Sequence, residues 1–251
     1  MINPLDLGQY SKAEIEKYEA VYGRNFISPG GLATAQEFTA LLGLKAGMTV
    51  LDVGCGVGGS AFYMAQHDGA WVHGIDLSTN MIAFANERCR EAHLNDRVTF
   101  ANADILTFTP QSPFDCVYSR DVFLHIHDKA RLMQILKTCL KPNGRLVFTD
   151  YACNTGDKSP AFAAYIQQRK YNLYTVTAYQ QLLLDTGFVD VIAEDRTAQF
   201  IQILERELAA MPSDRFDTAT LTSLRHSWQD KITRTKQGEQ RWGLFQARCP
   251  S

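Results

Sequence analysis

The sequence VLDVGCGVGG, residues 50–59, places four glycines directly after a run of mostly apolar side chains. Such a run predicts a buried β-strand, here over residues 48–53. The glycines predict a tight loop, because glycine lets the backbone turn sharply and approach a ligand closely. A helical pattern begins at Ser60. The stretch therefore predicts a strand, a glycine loop and a helix, the first unit of an α/β sheet.

The same alternation continues along the chain. Helices lie between most of the further strands, which are predicted at residues 70–76, 98–104, 114–120, 144–151, 189–195 and 241–249. Strands and helices alternating at this spacing form right-handed βαβ units and a mainly parallel, doubly wound sheet. Extra helical patterns follow residue 151, at residues 155–174, 175–187 and 197–238. We expect them to form a lid over the strand ends, where ligands bind in such sheets.

Length and composition indicate one domain. The chain has 251 residues, of which 45% are hydrophobic, and this is enough for a single sizeable core. We predict three parts within that domain. Residues 1–45 contribute helices to the lid, residues 46–151 form a cofactor-binding core, and residues 152–251 supply lid insertions and the last strands.

Charge and cysteine usage exclude several classes of protein. The net charge of −2 gives no basic surface of the kind that nucleic acids select. The polar N-terminus does not resemble a signal peptide, and no stretch has the length of a membrane span. Six scattered cysteines without a CxxC pair fit reduced, buried thiols. We therefore expect a cytoplasmic protein, monomeric because the lid occupies the obvious faces, without nucleic-acid or membrane partners.

Three carboxylates follow predicted strands. Asp76 ends the second strand about twenty residues after the glycine loop, where a carboxylate can accept hydrogen bonds from ribose hydroxyls. The glycine spacing is G-x-G-x-G, and Asp52 precedes it. A carboxylate there repels a pyrophosphate and suits a ligand with a cationic or amino group. Asp104 ends the third strand and could bind an exocyclic adenine amine. These residues predict a site for a nucleoside-type cofactor.

The motifs LDVGCGVGG, GIDLS, NADI and LKPNGRL, in this order, resemble those of class I S-adenosylmethionine-dependent methyltransferases. The resemblance implies a Rossmann-like α/β fold with a mostly parallel seven-stranded sheet, an antiparallel last strand and a helical lid. It also implies S-adenosyl-L-methionine as the cofactor. A Rossmann-like oxidoreductase that shares the first motif is the alternative.

A second resemblance extends over nearly the whole chain. The segments YEAVYGRNFISPGG, YSRDVFLHI, TDY, YIQQRKYNL, WQDKI and QRWGLFQA are similar to segments of the phosphoethanolamine N-methyltransferases of protozoan parasites and nematodes. The resemblance implies stepwise methylation of phosphoethanolamine towards phosphocholine. It implies catalytic roles for Tyr18, His125 and the neighbouring Asp121. The cofactor residues that it implies are Ser28, Asp52, Gly54, Gly56, Asp76, Leu77, Asp104, Ile105 and Arg120. The phosphate-binding residues that it implies are Tyr151, Tyr165, Arg169, Tyr171 and Lys231.

The stretch YSRDVFLHIHD, residues 118–128, allows a metal site or an acid/base site. A metal needs a third and a fourth ligand, which no other cluster offers at suitable spacing, so we predict none. Methyl transfer to nitrogen instead requires deprotonation of an ammonium, which at neutral pH costs about 4 kcal/mol. His125 could relay that proton, and Tyr18 could hydrogen-bond His125 and hold its tautomer. We interpret His127 as a loop residue and Asp128 as the cap of the next helix.

The phosphate site rests on helical spacing and on the second resemblance. Tyr165 and Arg169 lie four residues apart and share a helix face, and Tyr171 follows. A guanidinium fork with phenol donors suits a phosphomonoester. On the residue pattern alone, a surface helix with an aromatic anchor is the simpler interpretation. Only the match of the surrounding segments favours a phosphate site.

Some positions depart from the family pattern. Phe26 stands where tyrosine is common, Pro29 replaces a small polar residue, and Leu77 stands where isoleucine is frequent. Two alternatives for function stay open: a methyltransferase of the same fold with another small acceptor (a free amine, an amino acid or a thioether), or an inactive cofactor-binding protein. Cationic Arg169 and Lys231 favour a phosphorylated acceptor.

Overall fold

A computed structural model describes residues 4–8 and 10–251 of the chain. Its sheet has seven strands: β1 (Thr49–Val53), β2 (Trp71–Asp76), β3 (Val98–Asn102), β4 (Phe114–Arg120), β5 (Leu140–Cys153), β6 (Val189–Asp195) and β7 (Gln240–Arg248). The helices are α1 (Pro4–Leu7), α2 (Lys12–Tyr22), α3 (Gly31–Ala40), α4 (Gly59–His67), α5 (Thr79–Glu91), α6 (Lys129–Thr138), α7 (Pro160–Arg169), α8 (Val176–Asp185), α9 (Thr197–Ala209) and α10 (Thr218–Lys236). A short 3-10 turn, Phe123–His125, lies between β4 and α6.

The strand order is β3-β2-β1-β4-β5-β7-β6. Neighbouring strands from β3 to β5 run parallel, whereas β7 is antiparallel to both β5 and β6. The prediction of a Rossmann-like, mostly parallel seven-stranded sheet with an antiparallel last strand is confirmed. The order reverses at β1, so the crevice beyond the carboxyl ends of β1 and β4 is the expected ligand site.

Local sequence explains where the helices begin. Ser78 and Asp128 accept hydrogen bonds from backbone N–H groups in the first turns of α5 and α6, as predicted for Asp128. Such caps satisfy donors that have no partner inside the helix. Asp217 caps α10 in the same way.

Two local predictions were wrong. Residues 197–238 form two helices rather than one continuous segment, because Pro212 follows the end of α9 and Asp217 starts a new helix. The strand predicted to start at residue 144 begins at Leu140, so that β5 includes residues 141–144 (KPNG). There the pairing with β4 shifts, and Asn143 adopts a positive φ of 60°. The start of β5 is therefore irregular.

Apolar side chains cover both faces of the sheet. One cluster includes Val50, Tyr118 and Trp242, and another includes Leu51, Val117 and Phe148, so neighbouring residues of one strand alternate between the two faces. All six cysteines are free and buried, as expected for reduced thiols. Within residues 4–8 and 10–251, no helix is long and apolar enough to cross a membrane.

The N-terminal helices are fastened to the core. Asp6 accepts hydrogen bonds from Ser78 Oγ at 2.5 Å and from Thr79 N at 3.1 Å, at the start of α5. The Arg88 guanidinium on α5 pairs with Glu19 of α2, with Nη2 and Oε2 separated by 2.5 Å. These contacts place α1 and α2 beside the carboxyl ends of the strands. The division of the chain at residues 45 and 151 stays a prediction.

Candidate active site

A cavity of about 480 Å³ lies at the carboxyl ends of the strands. The glycine loop after β1 forms one end, and side chains from α2, α7 and α10 form the other. Every residue predicted for the site lines it: Tyr18, Ser28, Asp52, Gly54, Gly56, Asp76, Leu77, Asp104, Ile105, Arg120, Asp121, His125, Tyr151, Tyr165, Arg169, Tyr171 and Lys231. The structure thus brings them all together, while the role of each remains a prediction.

The glycine loop needs its glycines. Gly54, Gly56 and Gly58 have φ values of 69°, 54° and 93°, in the left-handed region that other residues rarely adopt. A Cβ atom on Gly54 would lie 2.3 Å from Val122 Cγ2, so space is lacking as well. The loop therefore brings backbone, rather than side chains, to the cavity wall.

Two buried carboxylates flank this loop. Asp76 accepts hydrogen bonds from Gly56 N at 3.0 Å and from Ser78 N at 2.8 Å, yet burial raises its pKa to about 6. Asp52 is 3% exposed, and its Oδ2 atom has no hydrogen-bond partner among residues 4–8 and 10–251. Burial raises the pKa of Asp52 to about 7, although Arg120 acts in the opposite direction. A cationic or hydroxyl-bearing ligand would stabilise both ionised carboxylates.

The third predicted carboxylate has a different environment. Asp104 Oδ1 accepts a hydrogen bond from Leu106 N at 2.9 Å, so it fixes the turn that follows β3. Ile105 beside it is buried, and the exposed Leu77 also lines the cavity. This part of the cavity combines an acceptor with apolar walls, as an adenine ring requires.

Arg120 also contacts the cavity, but its guanidinium is occupied by protein. Its Nη2 atom donates to Pro29 O at 2.7 Å and to Thr34 Oγ1 at 2.6 Å, and Nη1 donates to Gly31 O at 3.2 Å. In this structure Arg120 therefore holds the segment after Ser28 against the core. Its Nε atom finds no hydrogen-bond partner among the residues that the structure describes.

His125 ends the 3-10 turn and lies beside aromatic rings. Its ring contacts Tyr171 edge to face, with centroids 5.2 Å apart. Burial, followed by the charges of Lys129 and Arg169, lowers the pKa of His125 to about 4. The imidazole is consequently neutral at pH 7. Tyr18 stacks on Tyr22 at 6.2 Å, and among the described residues no hydrogen bond joins Tyr18 to His125.

Asp121 follows β4 with a positive φ of 55°. Its Oδ1 atom accepts hydrogen bonds from Trp242 Nε1 at 2.8 Å and from Thr149 Oγ1 at 3.0 Å. Its Oδ2 atom has no hydrogen-bond partner in the described part of the chain, and burial raises the pKa of the carboxyl group. A buried carboxylate oxygen without a donor is suited to bind an ammonium.

The other end of the cavity is cationic and aromatic. Tyr165 and Arg169 lie on α7, and the ring of Tyr171 stands edge to face with Tyr165 at 5.7 Å. Lys231 Nζ lies 5.7 Å from the ring centroid of Tyr151. Burial lowers the pKa of Lys231 to about 8, close enough to neutrality that an anion would favour its charged form. Tyr165 and Arg169 line the cavity, while most of α7 is exposed and Phe162 anchors it in the core, so the choice between a phosphate site and a surface helix with an aromatic anchor stays a prediction.

Arg234 and Tyr10 are among the lining residues that the sequence did not predict for the site. Arg234 places its guanidinium carbon 3.8 Å from the ring centroid of Tyr165. Because Arg234 lies three residues after Lys231 on one helix, the two side chains share a helix face, and this spacing could have predicted Arg234 as a site residue. Tyr10 lies just before α2, and no periodic pattern marked it. In the part of the chain that the structure describes, no group of three His, Cys, Asp or Glu side chains could hold a metal ion.

Comparison with known proteins places the chain in a family. A family profile described as a methyltransferase domain matches residues 44–181. Phosphoethanolamine N-methyltransferase from Plasmodium falciparum is 35% identical over 253 residues, covering 97% of this chain and 94% of that protein. Phosphoethanolamine N-methyltransferase 3 of Arabidopsis thaliana is 45% identical over 97% of this chain. That match covers 51% of the plant protein, so the chain spans about half the length of the plant relatives.

A solved structure agrees with these matches. Phosphoethanolamine N-methyltransferase 2 from Haemonchus contortus, in complex with phosphomonomethylethanolamine and S-adenosylhomocysteine, has a TM-score of 0.94 and 34% identity. The match covers 98% of this chain and 59% of that chain. The oxidoreductase alternative is thereby excluded. Because the identity extends over almost the full length of both this chain and the Plasmodium protein, the chain belongs to the phosphoethanolamine N-methyltransferase family.

Proposed function

We propose that the chain is an S-adenosylmethionine-dependent N-methyltransferase that converts phosphoethanolamine stepwise towards phosphocholine. One observation carries the proposal. A single cavity joins a glycine loop with buried carboxylates at one end to a cluster of cations and phenols at the other, with His125 and Asp121 also in its wall. A phosphorylated amine and a nucleoside sulfonium have the charges that this arrangement complements.

The residues at the glycine loop fit S-adenosylmethionine. Asp52 has an unpartnered buried oxygen for an ammonium, Asp76 can accept hydrogen bonds from ribose hydroxyls, and the loop has room only for backbone. When bound, this cofactor supplies an electrophilic methyl group on a sulfonium. The chain's own contribution is to orient the cofactor and keep water out of the cavity.

His125 and Asp121 address the acceptor nitrogen. The unpartnered Oδ2 of Asp121 accepts a hydrogen bond from an N–H group of the ammonium and so fixes the position of the nitrogen. Neutral His125 has a lone pair that can take the proton. Arg169 is one of the charges that depress the pKa of His125, so a phosphate bound to Arg169 would raise that pKa again. Binding of the phosphorylated acceptor would therefore make His125 a stronger base for the proton of the acceptor's ammonium.

Tyr18 has a supporting role in this proposal. Burial raises the pKa of Tyr18, Tyr151 and Tyr171, so their hydroxyl groups remain protonated donors. Tyr18 lines the same cavity as His125 and could donate to the acceptor or to the imidazole once the cavity is filled. Its stacked contact with Tyr22 also presents an aromatic face to a methylated ammonium.

The cationic end selects the acceptor. Arg169, Lys231 and Arg234 bring three positive groups to one region, where Glu207 and Asp121 are carboxylates that favour the charged form of Lys231. A phosphomonoester would add negative charge that an unphosphorylated amine lacks. This observation favours a phosphomonoester over a free amine, an amino acid or a thioether. It also argues against an inactive binding protein, because a cofactor alone would not need these groups.

The test is formation of S-adenosylhomocysteine with phosphoethanolamine and, in parallel, with ethanolamine, glycine and methionine. We expect turnover only with phosphoethanolamine. Arg169→Ala should raise the KM for phosphoethanolamine about tenfold or more, the value of a charged hydrogen bond. Arg206→Ala, which removes an exposed arginine of α9, is the matched control and should behave as the parent chain. Turnover of an unphosphorylated acceptor at a comparable rate would refute the assignment. Cytoplasmic location and a monomeric state stay predictions.

A further inference from the structure

The turn that carries His125 is held by polar groups outside the cavity. Between Phe123 and His127, five backbone atoms form hydrogen bonds with side chains or backbone from outside the turn: Phe123 O, Leu124 N, Leu124 O, Ile126 O and His127 O. Three residues provide these partners: Lys129, Asp150 and Asn172. None of the three lines the cavity, so they can act on the reaction through the position of the turn or, for the charge of Lys129, through the pKa of His125.

Lys129 is a lysine at the start of α6 that is only 1% exposed. Its Nζ atom donates to Phe123 O at 2.5 Å and to Ile126 O at 3.2 Å, so it joins the two sides of the turn around His125. The same atom lies 5.4 Å from the ring centroids of Tyr174 and Tyr179. Because removing an ammonium from water is costly, these contacts mark a position with a specific task.

Asp150 fixes the middle of the turn. This fully buried residue of β5 accepts a hydrogen bond from Leu124 N at 3.0 Å through Oδ1. Its Oδ2 atom accepts one from the Tyr179 hydroxyl. Burial raises the pKa of the Asp150 carboxyl group, while the positive charge of Lys129 favours its ionised form. The backbone N–H beside His125 is thus attached to the central sheet.

Asn172 connects the turn to the cationic end of the cavity. Its backbone N–H donates to Leu124 O at 2.8 Å, and its Nδ2 atom donates to His127 O at 2.9 Å. Asn172 directly follows Tyr171 and lies three residues after Arg169. A shift of the turn would therefore also change the distance between the imidazole and the predicted phosphate site.

We propose that Lys129, Asp150 and Asn172 act as positioning residues, which hold the His125 imidazole at a fixed place relative to both the acceptor nitrogen and the phosphate site. This inference rests on the proposed function, because it assigns His125 a proton to accept. The hydrogen bonds fix the backbone on both sides of a single side chain. Small displacements of a reacting group can reduce the rate by about a hundredfold.

The first experiment compares Lys129→Met with Lys137→Met. Lys137 lies on the same helix and donates to Thr186 O at 2.9 Å, far from the turn, so its variant reports the loss of a lysine-to-carbonyl bond alone. For Lys129→Met we expect kcat to fall about 10- to 100-fold, with little change in the KM for either substrate. Lys137→Met should retain the parent kcat. Parent-like turnover of Lys129→Met, or equal losses in the two variants, would overturn the proposal.

A second variant guards against a folding defect. Asn172→Ala removes only the side-chain amide and keeps the backbone bond to Leu124, so it should fold and lower kcat in the same direction. Hydrogen exchange at the Leu124 amide is measured in both variants without any substrate. Faster exchange there, with unchanged exchange in β1, is expected; unchanged exchange at Leu124 contradicts the proposal. If the parent chain methylates no phosphorylated amine, the proposed function fails, whereas the exchange result still decides whether these residues hold the turn.

Discussion

Cofactor binding should weaken as the pH falls, because two carboxylates at the glycine loop take up protons near neutrality. In the ligand-free protein the pKa of Asp52 is raised to about 7 and that of Asp76 to about 6, in each case by burial. A ligand that brings an ammonium and ribose hydroxyls to them needs both in the ionised form. Protons bound at low pH must therefore leave before the ligand can bind.

The expected size follows from linkage. For each carboxylate that must ionise, the apparent Kd is multiplied by 1 + 10^(pKa − pH), where the pKa is that of the ligand-free protein. Between pH 8 and pH 6, Asp52 then weakens binding about tenfold and Asp76 a further twofold or so. The combined loss is about 20-fold, or about 1.8 kcal/mol.

Calorimetric titration with S-adenosylhomocysteine at pH 6, 7 and 8 measures this effect directly. Repeating each titration in buffers of different ionisation enthalpy counts the protons that are released. Adenosine is the matched ligand: it lacks the amino-acid ammonium, so only the twofold part from Asp76 should remain. An affinity for S-adenosylhomocysteine that stays constant or improves at pH 6, without proton release, would refute the reasoning.

Three further predictions concern single residues. His125→Asn should lower kcat about 10²- to 10⁴-fold, the usual value of a general base, while calorimetry shows unchanged cofactor affinity; equal losses in both would contradict the role. Lys231→Met should raise the KM for phosphoethanolamine about tenfold or more without weakening cofactor binding, because it removes one charged donor, and an unchanged KM would place the phosphate elsewhere. Gly59→Ala should lower stability by about 1–3 kcal/mol in thermal unfolding, because its Cβ would lie 2.3 Å from Asn25 O. Gly156→Ala, whose Cβ would meet nothing closer than 3.7 Å, is the control and should unfold like the parent.

The sheet and the cofactor end could be predicted because their signals are local. Each predicted strand is an apolar run, and the polar residues at its carboxyl end must share one edge of a parallel sheet. Asp52, Asp76 and Asp104 were found in this way. The predicted end of the last strand at residue 249 differs by only one residue from Arg248.

The support of the His125 turn could not be predicted. Lys129 reads as an ordinary exposed cation at a helix start, since lysine is rarely buried. Asp150 reads as part of a strand, and its partners Leu124 and Tyr179 lie 26 and 29 residues away in the sequence. Such hydrogen bonds join residues that are distant in the sequence and meet only in the folded chain. The periodicity of the sequence does not predict them. Asp6 was missed for the same reason, because its partners lie more than 70 residues away.

The unpartnered oxygen of Asp121 has a consequence for the order of affinities among successive acceptors. A primary ammonium has three N–H groups that can donate a hydrogen bond to this oxygen, and each added methyl group replaces one of these donors. The trimethylated product offers none, so it leaves a buried carboxylate oxygen facing only a diffuse positive charge. Its attachment then depends on the phosphate contacts. If the proposed stepwise methylation takes place, the cavity should accordingly bind the first acceptor more tightly than the trimethylated product.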